Sequence, residues 1–399
     1  MLFRSQHLGK LMCYTPNVLI GRKFKGGLKK YCKENDIDNM QLTKMLTSGL
    51  AKIIPCGQCL ECRLNYAKNW AARCEVESYY YQNNHFITLT YDDEHVPVIN
   101  KITGEIYRGL KNPVDYYNYG KHYERLNLFK KDVQDFMKRL RDYAERHDLV
   151  EDKEKGIRYF YCGEYGTGTH RPHYHMIIYG LKLPDLKFHY MSKGYYHFLS
   201  DTISKLWPNG FHDIGGVDYK SCQYVARYIV KKQKGKTGNE WYQEQGLNKE
   251  FINMSLKPAI GLRYYEEHRD EIYSKDLIYL KEGRKQKPCK LYDIKEDEYQ
   301  CMKEFGLSDE EMGIFKGEKR RIQAYNRQQK RDAEKIAVPK MESSAMQELK
   351  RERRQKAMDS LFAKLEKTTL TILEFMDVQK TKYEEKHKIA VQRPCKEHC

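Results

Sequence analysis

The sequence contains no long uninterrupted apolar segment. No apolar run approaches the roughly 18 residues that a membrane-spanning helix requires, and residues 1–14 lack the apolar core of a secretory signal. We therefore expect no membrane span and no secretion. Disulfide frameworks belong to oxidising compartments, so the 12 cysteines are expected to be thiols or metal ligands.

The chain also has too few acidic residues to balance its basic ones. Asp and Glu number 55 against 72 Lys and Arg, which gives a formal net charge of +17. Such an excess favours a polyanionic partner. The 33 tyrosines add rings that stack on unpaired bases and hydroxyls that contact phosphate. Together these features favour a nucleic acid as partner, and a charge that only maintains solubility is the alternative.

The most informative short segment is His173-Tyr174-His175, which is followed by an apolar, β-branched run. Alternate side chains of a strand share a face, so the two imidazoles are expected to project together and could chelate a divalent ion. A second strand, predicted over 157–162, ends in Gly163-Glu164. If the two strands pair antiparallel, Glu164 comes near the histidines. The alternative is a pair of ordinary polar residues on a half-buried strand.

A helix predicted over 222–232, capped by Ser221, carries a second group of candidate residues. Its positions i, i+4, i+7 and i+8 form one polar stripe opposite an aliphatic face, and they are Tyr224, Tyr228, Lys231 and Lys232. A phenol with a pKa near about 10 is a poor nucleophile at neutral pH. Beside a divalent ion and ammonium groups, it can attack a phosphodiester and form a phosphotyrosine. Packing is the alternative role for the tyrosines.

Three cysteines occur at successive spacings of three, Cys56, Cys59 and Cys62. Thiolates at this spacing suit Zn²⁺, which takes four ligands. The fourth ligand must come from elsewhere in the chain, with Cys13 or Cys74 as candidates. The alternative is a helix start with buried free thiols.

The metal-binding motifs resemble those of the HUH endonuclease superfamily. His173-Tyr174-His175 resembles the His-hydrophobic-His motif, although its central tyrosine departs from the usual aliphatic residue, and Phe86–Thr90 resembles the first motif, a strand of the sheet. Glu164 resembles the acidic third metal ligand of several branches. The resemblance thus implies that Glu164, His173 and His175 bind one catalytic ion, Mg²⁺ or Mn²⁺.

The tyrosine helix resembles that of the two-tyrosine branch of the superfamily. Tyr224 and Tyr228 match its paired nucleophiles, and Lys231 and Lys232 lie where that branch carries its lysine. The chain resembles in particular the replication initiators of the Microviridae, of gokushovirus type. The motifs that carry the resemblance lie within residues 85–232.

The resemblance implies an α+β fold, an antiparallel sheet flanked by helices like the HUH/RRM palm, with a charged helical C-terminal extension. The predicted order of strands and helices is compatible with it. The implied function is rolling-circle initiation: nicking and joining of single-stranded DNA at the origin through a 5′-phosphotyrosine, which leaves a free 3′-OH. The implied partners are single-stranded and replicative-form origin DNA and the host helicase and polymerase, in the cytoplasm of a bacterial host.

Four regions are predicted along the chain. Residues 1–55 form a basic, mostly extended arm, and residues 56–250 form the endonuclease domain with its cysteine-rich N-terminal helix. Residues 251–292 are an appendage packed on the core, and 293–399 are a charged tail, helical or partly disordered. Within the endonuclease domain, residues 92–126 are predicted to be a long loop.

Other classes of protein fit the sequence less well. Histidine-triad hydrolases need a third histidine where Ile177 stands. Gly235-Lys236-Thr237 looks like the end of a Walker A loop, but Val230 occupies the place of the required glycine, so strand separation is expected to depend on another protein. A zinc-stabilised basic nucleic-acid-binding protein without catalysis is the remaining alternative, and it leaves Glu164 and the tyrosines unexplained.

Overall fold

The computed structural model describes residues 13–21, 23–110, 124–166, 170–231, 235–314 and 343–392. The chain divides into two compact units. The terminal unit comprises Met1–Cys62 and Pro288–Cys399, and the central unit comprises Arg63–Lys287. The domain boundaries predicted after residues 55, 250 and 292 stay predictions, because compactness alone does not show which parts fold independently.

The N-terminal part of the terminal unit is folded, so the prediction of a mostly extended arm is wrong for its described residues. A three-stranded antiparallel sheet of order β2-β1-β3 combines with two helices. The elements are β1 (Asn17–Ile20), β2 (Lys23–Gly27), α1 (Leu28–Glu34), α2 (Asn39–Thr47) and β3 (Ala51–Ile54). Helix α2 starts with a capping box between Asp38 and Gln41, which satisfies two backbone donors of its first turn.

The elements of the central unit follow. Helix α3 (Leu60–Ser78) enters it from the terminal unit. The remaining elements are β4 (Asn84–Tyr91), β5 (Pro97–Asn100), β6 (Ile106–Arg108), β7 (Glu124–Leu126), α4 (Lys130–Arg146), β8 (Arg158–Tyr165), β9 (Pro172–Tyr179), β10 (Leu186–Ser192), β11 (Tyr195–Ser200), α5 (Asp201–Leu206), β12 (Gly210–Gly215), α6 (Tyr219–Lys231), α7 (Gly235–Gln245), β13 (Phe251–Met254), α8 (Leu262–Lys275), β14 (Ile278–Tyr279), a 3₁₀ turn (Lys281–Gly283) and β15 (Lys285–Gln286).

A seven-stranded antiparallel sheet of order β10-β11-β12-β4-β9-β8-β13 organises the central unit. Helices α4 and α5 pack on one face of this sheet, where Tyr174, Met176 and Ile178 of β9 are buried. Helices α3 and α6 pack on the other face, against Ile177 and Tyr179. Alternate side chains of β9 therefore pack into two different hydrophobic cores, one on each face of the sheet. The predicted antiparallel sheet flanked by helices is confirmed.

Two parts of the central unit differ from their predicted structure. The predicted long loop over 92–126 contains a small sheet of order β6-β5-β7, and its residues 111–123 lie outside the described residues. The hairpin of β10 and β11 was not predicted. Its aromatic and basic side chains are largely exposed, so the alternation typical of a half-buried strand is weak there.

The segment predicted as an appendage joins the main sheet at once, because β13 pairs with β8. A buried ion pair holds the loop that follows it: Arg158 Nε donates to Glu77 Oε1 at 3.0 Å. The Arg158 guanidinium also donates to the carbonyls of Lys257 and Pro258, and the second oxygen of Glu77 accepts the N–H of Gly261 at 2.6 Å. This loop is therefore tied to the sheet by charged, buried hydrogen bonds.

The C-terminal part of the terminal unit is helical, as predicted for the extension. Its long helices are α9 (Lys290–Phe305), α10 (Ser344–Leu365) and α11 (Ile372–Gln392). Leu361, Ile372 and Met376 share one buried cluster with Val18 and Leu28 of the N-terminal part. This shared core explains why the N-terminal segment is folded. In the described parts of the chain, no helix has the length and apolar character that crossing a membrane requires.

Candidate active site

The two histidines of β9 lie on the sheet face that α3 and α6 cover. In the register of β8 and β9, Glu164 stands directly opposite His173, and opposed residues of paired strands share a face. His175 Nε2 lies 3.1 Å from Glu164 Oε1, and both side chains are buried. The predicted pairing of these strands, with Glu164 next to the histidines, is confirmed.

Two threonines of β4 hold the imidazole rings from the other side. Thr88 is paired with His175 and Thr90 with His173, and each hydroxyl lies 3.0 Å from the Nδ1 atom of its histidine. When Nδ1 donates to the hydroxyl, the Nε2 lone pair is the one that can bind a metal. Both threonines lie in Phe86–Thr90, the predicted first-motif strand, but no role was predicted for their hydroxyls. Thr88 and Thr90 are two residues apart, as are His173 and His175, so both pairs project to one face of their strands. This matching spacing was the sequence signal that could have indicated the threonines.

The tyrosine between the histidines anchors the strand in the opposite core. Its hydroxyl lies 2.8 Å from that of Tyr91, accepts the backbone N–H of Phe129 and donates to the Phe129 carbonyl. Burial raises the pKa of the Tyr174 phenol well above its usual range, so the hydroxyl stays protonated. The strand alternation that sets the two imidazoles on one face of the sheet thus sets this tyrosine on the other face.

Gly166 gives His173 the space it occupies. A Cβ atom on Gly166 would lie 3.0 Å from His173 Nε2, closer than the neighbouring ring could accept without shifting. The N–H of Gly166 donates to the Arg171 carbonyl at 2.9 Å, which brings the ends of the β8–β9 connection together. A larger residue at this position would therefore require the His173 ring to shift by a few tenths of an ångström.

Helix α6 places Tyr224 beside the histidines. The phenol ring meets the His175 ring edge-on, with 5.1 Å between centroids, and it also contacts Phe86 of β4. Tyr224 is 40% exposed, whereas Cys222, Val225 and Ala226 are buried on the other side of the helix. This part of the predicted amphipathic pattern is confirmed.

The predicted cap of α6 is wrong. Asp218 is the capping residue: its carboxylate accepts the N–H of Ser221 at 2.7 Å, and its own N–H donates to the Ser221 hydroxyl at 2.8 Å. The helix therefore begins at Tyr219, because Asp218, three positions before Ser221, satisfies the first backbone donors of the helix.

The other members of the predicted stripe are only partly described. Tyr228 and Lys231 lie on α6, one and about two turns after Tyr224. Their side chains and the whole of Lys232 lie outside the described residues. Their roles stay predictions.

The group formed by Glu164, His173 and His175 has the donor set of a divalent metal site. It offers two imidazole nitrogens and one carboxylate oxygen, and the imidazole rings lie 6.2 Å apart between centroids. Each ring is already oriented at Nδ1 by a threonine, which is the arrangement that commonly supports metal-binding histidines. Among the described residues, only the four cysteines of the terminal unit have metal-binding atoms that all lie within 4.8 Å of one another. The binding of an ion by Glu164, His173 and His175 therefore stays a prediction.

The predicted cysteines form a separate group in the terminal unit. Cys56, Cys59 and Cys62 come together with Cys13, and their four sulfur atoms lie within 4.8 Å of one another. The other candidate for the fourth position, Cys74, is fully buried in the core of the central unit.

Comparison with known proteins identifies the family. A family model described as replication-associated protein, of the ORF2 type, matches residues 84–233, the stretch from β4 through α6. The replication-associated protein ORF2 of Spiroplasma virus 4 is 35% identical over 229 residues, 57% of this chain and 61% of that protein. The replication-associated protein VP4 of Bdellovibrio phage phiMH2K is 33% identical over 248 residues, 62% of this chain and 68% of that protein. The chain belongs to the family of phage replication-associated proteins.

A third member of the replication-associated family, ORF4 of Chlamydia phage 1, is 28% identical over 247 residues, which are 58% of this chain and 52% of that protein. The chain thus spans about three fifths of the length of the Spiroplasma virus relative. No solved structure matches it. The predicted resemblance to phage replication initiators is confirmed at the level of this family.

Proposed function

We propose that this replication-associated protein initiates rolling-circle replication by nicking and joining single-stranded DNA at the phage origin. The observation that carries the proposal is the contact of Tyr224 with His175, 5.1 Å between ring centroids, where His175 in turn contacts Glu164. A nucleophile that can form an ester thus stands beside a metal-type donor set. A purely DNA-binding protein has no need of that combination.

The chemistry assigned to the tyrosine is a phosphodiester transfer. The phenol oxygen of Tyr224 attacks the scissile phosphorus, the bond from phosphorus to the 3′ oxygen breaks, and the phenol proton is balanced by protonation of the leaving oxygen. The products are a 5′-phosphotyrosine and a free 3′-OH. Glu164, His173 and His175 would hold an Mg²⁺ or Mn²⁺ ion, which would supply the positive charge that makes the phosphate a better electrophile. Reversal of the same transfer joins strands.

The two tyrosines divide the work of one replication cycle. One transfer opens the origin and a second releases a unit-length circle. Tyr228 follows Tyr224 by one helical turn, about 6 Å along the axis, so it can attack the regenerated origin while the first phenol is still esterified. Lys231 and Lys232 are assigned the positive charge that stabilises phosphate and phenolate.

The partners follow from the chemistry and the charge. A net charge of +17 suits single-stranded DNA and the origin of the replicative form. The free 3′-OH is the primer that a host polymerase extends, and a host helicase is assigned the strand separation. The proposed place of action is the cytoplasm of the bacterial host.

The proposal is tested with labelled, overlapping single-stranded fragments of the phage genome, incubated with the full chain and Mg²⁺ or Mn²⁺. A covalent protein–DNA adduct on a denaturing gel is the expected product. Tyr224→Phe and Tyr228→Phe should each still form an adduct, at unequal rates, but make fewer circles, and the double variant should form none. Tyr196→Phe, an exposed tyrosine of β11, is the matched control and should behave as the wild type.

Four outcomes would contradict the proposal in different ways. An adduct formed by the double tyrosine variant overturns the choice of nucleophile. If one single variant loses all adduct and the other makes circles normally, the alternation is wrong. Full nicking by a His173→Ala/His175→Ala variant overturns the metal site, since that variant should lose cleavage but keep most DNA affinity. Binding without any adduct under all conditions favours the non-catalytic alternative.

A further inference from the structure

Four thiols of the terminal unit converge on one point. Cys13 precedes β1, Cys56 and Cys59 follow β3, and Cys62 lies in the first turn of α3. Their sulfur atoms all lie within 4.8 Å of one another, and those of Cys13 and Cys59 are 3.7 Å apart. Sequence spacing alone brings the last three together, whereas Cys13 arrives through the fold of the sheet β2-β1-β3.

The dimensions of the cluster are those of a site for a single ion. Four sulfurs around a tetrahedral Zn²⁺, each at about 2.3 Å from the metal, lie about 3.8 Å from one another. The Cys13–Cys59 separation of 3.7 Å matches this value. All four cysteines are free in the structure, and a disulfide would need sulfurs about 2.05 Å apart. An iron–sulfur cluster binds its cysteines through several irons, which requires a wider set of thiols.

The backbone around the cluster is arranged to stabilise thiolates. Cys56 Sγ accepts the N–H groups of Gln58 and Cys59 at 3.3 and 3.2 Å, and Cys13 Sγ accepts the N–H of Cys56 at 3.2 Å. Gly57, with φ of +74°, makes the turn that directs these donors inward. Helix α3 begins at Leu60, so its positive end also lies beside the sulfurs. Hydrogen-bond donors that favour the anionic form are what metal-bound sulfur requires.

We propose that Cys13, Cys56, Cys59 and Cys62 bind one structural Zn²⁺ ion. The ion would join positions that are 46 residues apart in the chain and so act as a cross-link around β1–β3. Nothing in the proposed nicking chemistry requires it.

The surroundings of the cluster indicate what the ion stabilises. Tyr14, next to Cys13, packs against Tyr383 of α11 with 5.4 Å between ring centroids, and the buried carboxylate of Glu61 lies near the Tyr383 phenol. Tyr14, adjacent to Cys13, and Glu61, adjacent to Cys62, thus both lie beside the C-terminal helix α11. Because metal binding and folding are coupled when no site exists in the unfolded chain, loss of the ion should loosen the contact between the two ends of the terminal unit.

The test is the metal content of the full chain, purified under reducing conditions without added metal. Inductively coupled plasma mass spectrometry should find about one Zn²⁺ per chain. Cys13→Ser and Cys59→Ser should each lose most of the zinc, whereas Cys32→Ser, a buried cysteine of α1 in the same unit, should keep it. The His173→Ala/His175→Ala variant should also keep it, which separates this site from the proposed nicking site.

A second measurement covers the case in which the serine variants fail to fold. Wild-type protein exchanged with Co²⁺ should show the near-ultraviolet sulfur-to-cobalt absorption and the visible bands of a tetrahedral site, and titration of the thiols with a mercurial should release the metal. Purified protein without zinc, iron in its place, or cobalt spectra without sulfur ligation would overturn the proposal. Retention of all zinc by Cys13→Ser would overturn the assignment of that ligand.

Discussion

Replacing Thr88 by valine tests whether the threonines of β4 position the proposed metal ligands. The substitution keeps the shape of the side chain and removes the hydroxyl that lies 3.0 Å from His175 Nδ1. The ring nitrogen then lacks its partner, which costs about 1–3 kcal/mol for a buried polar group. The tautomer with the proton on Nε2, which cannot bind a metal there, competes more strongly. At 1.4 kcal/mol per factor of ten, metal affinity should fall roughly 5- to 150-fold.

The assay measures direct binding of Mn²⁺ to the full chain, either by isothermal titration calorimetry or by the electron paramagnetic resonance signal of the free ion. Thr88→Ser retains a hydroxyl and should restore most of the affinity, which a merely structural role for the methyl group does not predict. Thr47→Val is the matched control, because the Thr47 hydroxyl is exposed and bonds only to carbonyls of its own helix. Nicking rates measured at saturating Mn²⁺ separate lost affinity from lost chemistry.

Binding of Mn²⁺ and nicking of DNA by Thr88→Val at wild-type levels, with an unchanged unfolding curve, would refute this role of Thr88. In that case the hydroxyl does not orient the ring in the working protein. A fall in stability without a fall in metal affinity would also refute it, since the role of Thr88 would then be confined to packing.

Two further predictions concern stability. Glu77→Ala should lower the free energy of unfolding of the central unit by about 3–5 kcal/mol, because it leaves the buried, charged Arg158 without its carboxylate partner. A loss of less than about 1 kcal/mol, measured by urea unfolding, would contradict this prediction. Burial lowers the pKa of His212, whose Nε2 accepts the Ser200 N–H at 3.0 Å. In the unfolded chain the His212 imidazole takes up a proton below about pH 6.5, whereas in the folded chain it stays neutral to a lower pH. The contribution of neutral His212 to folding stability is therefore complete above about pH 6.5 and is lost as the pH falls towards the pKa of the folded state. His212→Gln should therefore show a smaller fall in melting temperature between pH 7.5 and 5 than the wild type, and equal falls would exclude the effect.

Strand β9, which carries the two histidines, could be predicted because the pattern that indicates it lies within a few consecutive residues. Alternation over residues 173–179 assigns each side chain to a face, and a short connection to the preceding strand makes antiparallel pairing the natural choice. Antiparallel pairing brings Glu164 near the histidines, and the structure adds the register that sets Glu164 opposite His173. By contrast, Thr88 and Thr90 meet their histidines across 87 and 83 positions of sequence. The only local signal is that their Thr-x-Thr spacing matches the His-x-His spacing of the strand they join.

The N-terminal segment was mispredicted for a related reason. Its apolar residues are spaced among many lysines, and the partners that bury them, such as Leu361 and Ile372, come from the other end of the chain. The hairpin of β10 and β11 did leave a local signal. Its turn is Lys193-Gly194, with positive φ at both residues, and such turns favour glycine at the second position. Turn chemistry was the better guide there, because the strands themselves are exposed.

The wide spacing of β4, β9 and α6 along the chain has a consequence for synthesis in the infected cell. A polypeptide leaves the ribosome with its N-terminus first, so Thr88 and Thr90 emerge long before the histidines to which they bond. Tyr224 emerges later still. A nascent or prematurely terminated chain therefore lacks the complete set of side chains until α6 has been translated. If the protein nicks DNA as proposed, unfinished copies of it would therefore not cut the phage origin.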